Sequence, residues 1–218
     1  MTLILTALCK DGICICADKR SKRQYDNGRI EYKDDLNKIY QFRNGEVAIC
    51  NHGVNEMQNK SWETFCSDYE ASNRWVGKNL FQIIDDFRSF IESNIQQQLE
   101  DNFRHNRSDS TTIGFIICGK TSLDSKFKIN ELFWSFDSGG LHFESKRHYG
   151  LVRTGVGNKY LEKYINDNSS INTIDFWKRM STRKAEKELN KLFAAAVVEK
   201  KRLTEEEISD ENHIVSIS

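Results

Sequence analysis

Proline is absent from all 218 residues, where ordinary usage would supply roughly ten. Turns must therefore be made by Gly, Asn and Asp. An excess of charge is missing too: 32 basic residues face 32 acidic ones, for a formal net charge of zero. Without a basic surplus there is no electrostatic footprint for nucleic acid or an anionic membrane surface. No apolar run approaches the about 18 residues a membrane span requires. The leading residues are apolar, but Lys10 and Asp11 interrupt them and no basic stretch precedes them, so a signal peptide is not expected. The six cysteines contain no C-x-x-C pair and fall mostly inside strand-like runs. They read as buried free thiols in a reducing cytoplasm rather than as a metal site. With no break in composition, residues 1–218 are expected to form one domain.

What is present is a succession of strand and helix patterns. Thr2-Leu3-Ile4-Leu5-Thr6-Ala7-Leu8-Cys9 is a β-rich run, Lys10-Asp11-Gly12 a turn, and Ile13-Cys14-Ile15-Cys16-Ala17 a second run ending on Asp18. A hairpin with near-equal arms delivers Asp18 and Arg20 beside Thr2. A charged insertion follows, its Asp26-Asn27-Gly28 reading as a tight hairpin turn. Leu36 to Phe42 alternates as another strand, Gly45 turns it, and Val47 to Cys50 returns, ending at His52-Gly53. Helices are expected from Val54 to about Asn73 and from Asn79 to Asn102, the second with a clear apolar stripe. Strands resume at 110–119, 128–137, 141–144 and 149–154. Two more helices, one after Gly157 and one over 174–201, precede a last strand at 214–217. Strand runs alternating with helix pairs predict an α+β fold in which two antiparallel sheets lie between helix layers.

The chemistry gathers at the start of the chain. Removal of Met1 before a small residue would leave a hydroxyl and a free α-amine together on Thr2. A hydroxyl is a weak nucleophile alone, but an α-amine titrating near about pH 8 can take its proton, directly or through a water. A nearby ammonium such as Lys38 would push that amine pKa lower, and Asp18 would hold the lysine in place. The plainer alternative is that Thr2 merely begins an edge strand and that Asp18 and Lys38 are a structural ion pair. Gly53, at the end of a strand and before an expected helix, can aim a backbone N–H at an oxyanion. His52 beside it reads as a packing or rim residue, since the amine already supplies a base. Gly155-Val156-Gly157 lacks the third glycine and the βαβ setting of a dinucleotide loop.

Taken together, the N-terminal Thr strand, Asp11-Gly12-Ile13-Cys14-Ile15-Cys16-Ala17-Asp18-Lys19-Arg20, Asn37-Lys38-Ile39-Tyr40-Gln41-Phe42 and the glycine at 53 resemble the proteasome β-subunit family of N-terminal-nucleophile (Ntn) hydrolases. The bacterial members are most similar, HslV-like and ancestral-β-subunit-like, in which Thr directly follows Met. Thr111 to Gly119, Leu132 to Gly140 and Thr154 to Tyr160 resemble later strands and the Gly-x-Gly of the same family. The resemblance implies a four-layer αββα sandwich and a threonine endopeptidase subunit of a self-compartmentalising, homo-oligomeric ring in the cytoplasm. It implies Thr2, Asp18, Arg20, Lys38 and Gly53 as catalytic residues, Arg20 bracing the loop that carries Asp18. Ser21 and Lys22, with Asn51 and Asn55 near the cleft, would bind an extended peptide or unfolded protein. No cofactor, metal, nucleic acid or membrane is called for, and an ATPase partner is left open.

Two departures stand out. The family's Ser between the two glycines is here Val156, and its Asp-x-x-Ser-Gly-Gly run is replaced by Glu205-Glu206-Glu207-Ile208-Ser209-Asp210-Glu211. Ser209 and Asp210 are the candidates to take over. The rivals are a catalytically silent scaffold subunit of the same fold, or a small-molecule amidase using the same nucleophile without a ring.

Overall fold

In the computed structural model, which describes residues 2–24, 28–54, 56–57, 60–106 and 111–218, the first apolar run becomes β1 (Ile4–Leu8) and returns as β2 (Ile13–Asp18). The turn between them passes so close to the last strand that a Cβ on Gly12 would meet the Ile217 carbonyl oxygen at 2.0 Å. A ribbon of β3 (Ser21–Gln24) and β4 (Ile30–Lys33) follows, Ser21 opposite Lys33. The Asp26-Asn27 turn expected there lies outside the described residues, as do Asn55 and Ser110. The strand expected over Leu36–Phe42 shortens to β5 (Ile39–Gln41). Leu36 instead donates its N–H to the Lys19 carbonyl at 3.1 Å, and the Asn37 side chain takes the Ile39 N–H at 3.2 Å. Next come β6 (Val47–Gly53) and a small ribbon of β7 (Glu56–Met57) and β8 (Lys60–Ser61).

The first helix thus begins later than its apolar residues suggest. α1 (Trp62–Ala71) starts only at Ser61, whose hydroxyl accepts the Thr64 N–H. Gly53 therefore opens a ribbon and not a helix. α2 (Leu80–Asn106) is entered through a reciprocal box in which Asn79 and Gln82 each accept the other's backbone N–H. Asp124 meanwhile accepts the Leu80 N–H at 2.9 Å. β9 (Thr111–Gly119), β10 (Lys128–Asp137), β11 (Gly140–His148) and β12 (Leu151–Thr154) complete the strand run. After a 3-10 turn over Val156–Leu161 comes α3 (Glu162–Asp167). The single helix expected over 174–201 is two, α4 (Ile174–Lys178) and α5 (Thr182–Arg202). Asp11 accepts the Thr182 N–H at 2.8 Å and so starts the second helix afresh. The chain ends in β13 (Asn212–Ile217).

These elements sort into two compact units: Met1–Ile39 with Tyr149–Ser218, and Tyr40–His148. The first holds a four-stranded sheet in the order β12-β1-β2-β13, all antiparallel. Leu3, Leu5, Ala7, Cys14 and Cys16 face the stripe Ala185, Leu189, Leu192, Phe193 and Ala196 of α5, with Trp177 and Tyr160 beside them. The second holds a five-stranded sheet in the order β11-β10-β9-β6-β5. Val47, Ile49, Ile113, Phe115, Ile117, Leu132 and Trp134 pack there against Tyr69 of α1 and the Ile83–Phe87–Ile91–Ile95 stripe of α2. All six cysteines are buried and free; burial pushes the Cys14 thiol up to about 11. Among the described residues no helix is long and apolar enough to cross a membrane.

One polar cluster sits on the opposite face of the second sheet. Glu131 bridges two imidazoles, its Oε1 3.2 Å from His52 Nε2 and its Oε2 2.8 Å from His148 Nε2. The His52 ring lies over Gly114, where any Cβ would come within 2.2 Å of it, and stacks on Phe133. Burial alone would raise the Glu131 pKa, yet the hydrogen bonds from His148 and His52 outweigh it and hold the carboxyl well below its usual range. Because the folded-state pKa is depressed, the stabilisation is present above the unfolded carboxylate value and is lost as pH falls through the folded one. Glu131→Gln should cost about 1–3 kcal/mol at neutral pH in urea unfolding. The difference from wild type should shrink steadily as the pH drops below about 4.5.

Candidate active site

The register of β1 against β2 sets Ile4 opposite Ala17, so the next residue of each strand outward, Leu3 and Asp18, meet at the open end of the hairpin. Their backbones bond, Asp18 N–H to the Leu3 carbonyl at 3.0 Å. The Asp18 carboxylate then turns back: its Oδ1 accepts the Leu3 N–H at 2.7 Å and the Lys38 ammonium at 2.8 Å. One oxygen therefore ties Lys38 to the amide directly after Thr2. The other oxygen, Oδ2, accepts the Arg20 N–H at 3.0 Å and lies 3.5 Å from the Ser209 N–H.

This corner is closed. Thr2, Asp18 and Lys38 are 1%, 1% and 4% exposed in the chain that carries Met1. Burial pulls the Lys38 pKa below its ordinary value, although the Asp18 charge and hydrogen bond oppose the shift. Thr2 is held from the far side by the glycine loop. Its carbonyl accepts the Gly157 N–H at 3.0 Å. Gly155, at φ +89, passes so near that a Cβ would meet that same carbonyl oxygen at 2.1 Å. The Gly-x-Gly pattern, read as a helix opener, is thus also a backbone clamp on Thr2; its middle residue, Val156, is 48% exposed.

The remaining sequence-predicted residues are placed as follows. The Arg20 guanidinium makes a fork with Asp34, 2.7 and 2.6 Å, and donates to the Glu206 carbonyl at 2.8 Å, fastening the loop beyond Asp18. Ser21 and Lys22 lie on β3, Lys22 exposed and opposite Tyr32. Gly53 and Asn51 belong to the second unit. Gly53, at φ +87, has the Thr112 carbonyl oxygen 2.4 Å from where a Cβ would stand; strand packing alone would require glycine there. Asn51 is buried, with its amide 3.4 Å from the Gly114 and His52 carbonyls. Asn55 lies outside the described residues. Of the two candidates for the missing C-terminal helper, Ser209 reaches the corner, its hydroxyl accepting the Lys19 N–H at 2.9 Å. Asp210 turns away to Lys200 and Lys201. No spacing in the sequence distinguished these neighbours; only the return of the chain beside β2 does. Among the described residues no His, Cys, Asp and Glu group could hold a metal ion.

Searches against protein-family models and against curated proteins find no match. Solved structures do match. Anbu, the ancestral beta-subunit, from Yersinia bercovieri is 8% identical with a TM-score of 0.60, covering 99% of this chain and 81% of that one. A Gly-1 mutant of Anbu from Hyphomicrobium sp. strain MC1 is 13% identical with a TM-score of 0.59, covering 99% and 82%. At such identities the likeness is one of fold: a mixed helix and antiparallel-sheet architecture shared with these Anbu structures.

The Asp18–Lys38 pair generates a direct test. Asp18→Asn leaves a buried ammonium without its counter-charge, and should destabilise the chain by about 3–5 kcal/mol in urea denaturation. The Lys38 pKa should fall further in that variant, because burial then acts almost unopposed.

Proposed function

We propose that this chain is a threonine-type peptidase subunit of a proteasome-like, self-compartmentalising assembly, built on the four-layer αββα Ntn-hydrolase sandwich as one domain, each unit supplying a sheet and its helix cover. The observation that carries the reading is the buried Asp18–Lys38 pair bonded to the amide next to Thr2. The fold shared with Anbu supports it. Burying an ion pair contributes little to stability relative to apolar packing, so a pair retained at the head of the chain points to chemistry.

In this reading Met1 is removed and the Thr2 α-amine becomes the base. The Thr2 hydroxyl attacks the scissile carbonyl carbon as its proton passes to the amine, directly or through a water. A backbone N–H stabilises the oxyanion, the amine returns the proton to the leaving nitrogen, and an ester to Thr2 remains. Water, deprotonated by the same amine, hydrolyses it. Lys38 favours the neutral amine, and Asp18 with Arg20 holds the corner. The substrate is a peptide or unfolded protein, added as a strand along Ser21 and Lys22. The assembly is a cytoplasmic homo-oligomeric ring that needs no cofactor and engages no nucleic acid or membrane.

A second reading, the silent scaffold subunit, is favoured by one observation: the position between the two glycines that clamp Thr2 carries Val156, 48% exposed, where the resemblance calls for Ser. Intact mass of the purified protein and covalent labelling by a peptide β-lactone separate the two. The peptidase reading expects loss of Met1, one adduct on wild type, none on Thr2→Ala, and peptide hydrolysis reduced about a thousand-fold or more in that variant. Retained Met1 with equal labelling of both proteins overturns it in favour of the scaffold.

A further inference from the structure

We propose that Asn37 and His213 are positioning residues for Lys38, an inference that rests on reading Lys38 as the cation that tunes the Thr2 amine. Lys38 is carried by residues 35–38, which belong to neither β4 nor β5, yet its ammonium must stay on one carboxylate oxygen in a desolvated corner. The Asn37 side chain meets this demand with a single atom. Its Oδ1 accepts the N–H of Ile39 at 3.2 Å, closing a turn across Lys38, and lies 3.0 Å from His213 Nδ1 on the edge strand β13.

The direction of that second bond follows from the first. A backbone N–H can only donate, so the atom it meets must be the amide oxygen, and an amide oxygen can only accept. His213 Nδ1 is therefore the protonated nitrogen. The imidazolium keeps that same N–H, so the bond is available in both charge states.

The placement of His213 is fixed by register. On β13, Asn212 stands opposite Asp18 and His213 opposite Ala17. One strand thus pairs with Asp18 through one residue and reaches the lysine segment through the next. β13 sets the acceptor and the donor of the buried pair in one frame, along with the Leu36–Lys19 backbone bond and the Arg20–Asp34 fork.

The test reads Lys38 directly, by mass-spectrometric footprinting with an amine-acetylating reagent. Lys200, 5% exposed on α5, is the internal control for general loosening. In wild type both lysines should be protected. His213→Ala and Asn37→Ala should raise Lys38 acetylation about ten-fold or more while Lys200 stays protected. His213→Asn, whose amide N–H can stand where Nδ1–H stood, should restore protection. β-Lactone labelling of Thr2 should fall about ten- to a hundred-fold in the alanine variants and recover in His213→Asn. Unchanged Lys38 protection in both alanine variants overturns the proposal, as does joint exposure of Lys38 and Lys200 or a failure of asparagine to rescue. If wild-type Thr2 takes no label while Lys38 responds as described, the peptidase reading fails and the positioning of Lys38 stands.

Discussion

A carboxylate shielded from water must be satisfied by donors, and in this chain the Asp18 carboxylate decides what the surrounding backbone can do. Among the described residues four groups converge on it: the Leu3, Arg20 and Ser209 amides and the Lys38 ammonium. Each comes from a different stretch of sequence, so the first strand, the loop after β2, the segment before β5 and the approach to β13 are all fixed by one acceptor. An unsatisfied buried charge costs several kcal/mol, far more than any one of these bonds contributes. The cluster is therefore closer to all-or-none than to a sum of parts.

That economy constrains the outer ring of contacts. The Arg20–Asp34 fork, the Ser209 hydroxyl on the Lys19 amide and the Asn37 oxygen shared by Ile39 and His213 fix the segments that carry Asp18 and Lys38. The enclosure acts electrostatically as well: burial pulls the Lys38 pKa below its ordinary value, against the pull of the adjacent carboxylate.

The parts of this arrangement legible in the sequence were those set by short-range rules. Equal hairpin arms around Asp11-Gly12 brought Asp18 to Leu3, and the apolar stripe of 80–99 became α2, because periodicity and turn length act locally. Boundaries failed where a distant side chain intervened. α5 starts at Thr182 because Asp11 caps it. Residues 36–38 leave the strand because Lys19 takes the Leu36 N–H and the Asn37 side chain takes that of Ile39. Ser209 and His213 could not be assigned for the same reason: their roles depend on β13 lying beside β2, a pairing across nearly the whole chain that no local pattern encodes. The glycines mislead in the opposite way. Gly53 looked like a chemical device, yet the Thr112 carbonyl behind it already forbids a side chain, so glycine there does not by itself argue for catalysis.

The closed state of the corner bears on what processing would do. While Met1 is attached, the Thr2 nitrogen is an uncharged amide, and the cation on the shared Asp18 oxygen is Lys38. Removing Met1 would create a second basic nitrogen one residue from that oxygen. Two ammonium groups around one buried carboxylate repel each other, and desolvation penalises both, so at most one is comfortably charged. Lys38 holds the direct bond to Asp18 and has the higher intrinsic pKa, whereas an α-amine starts near about 8. The proton that leaves is then the terminal one. The same enclosure that hides Thr2 before processing would keep its amine neutral afterwards, which is the form a base requires.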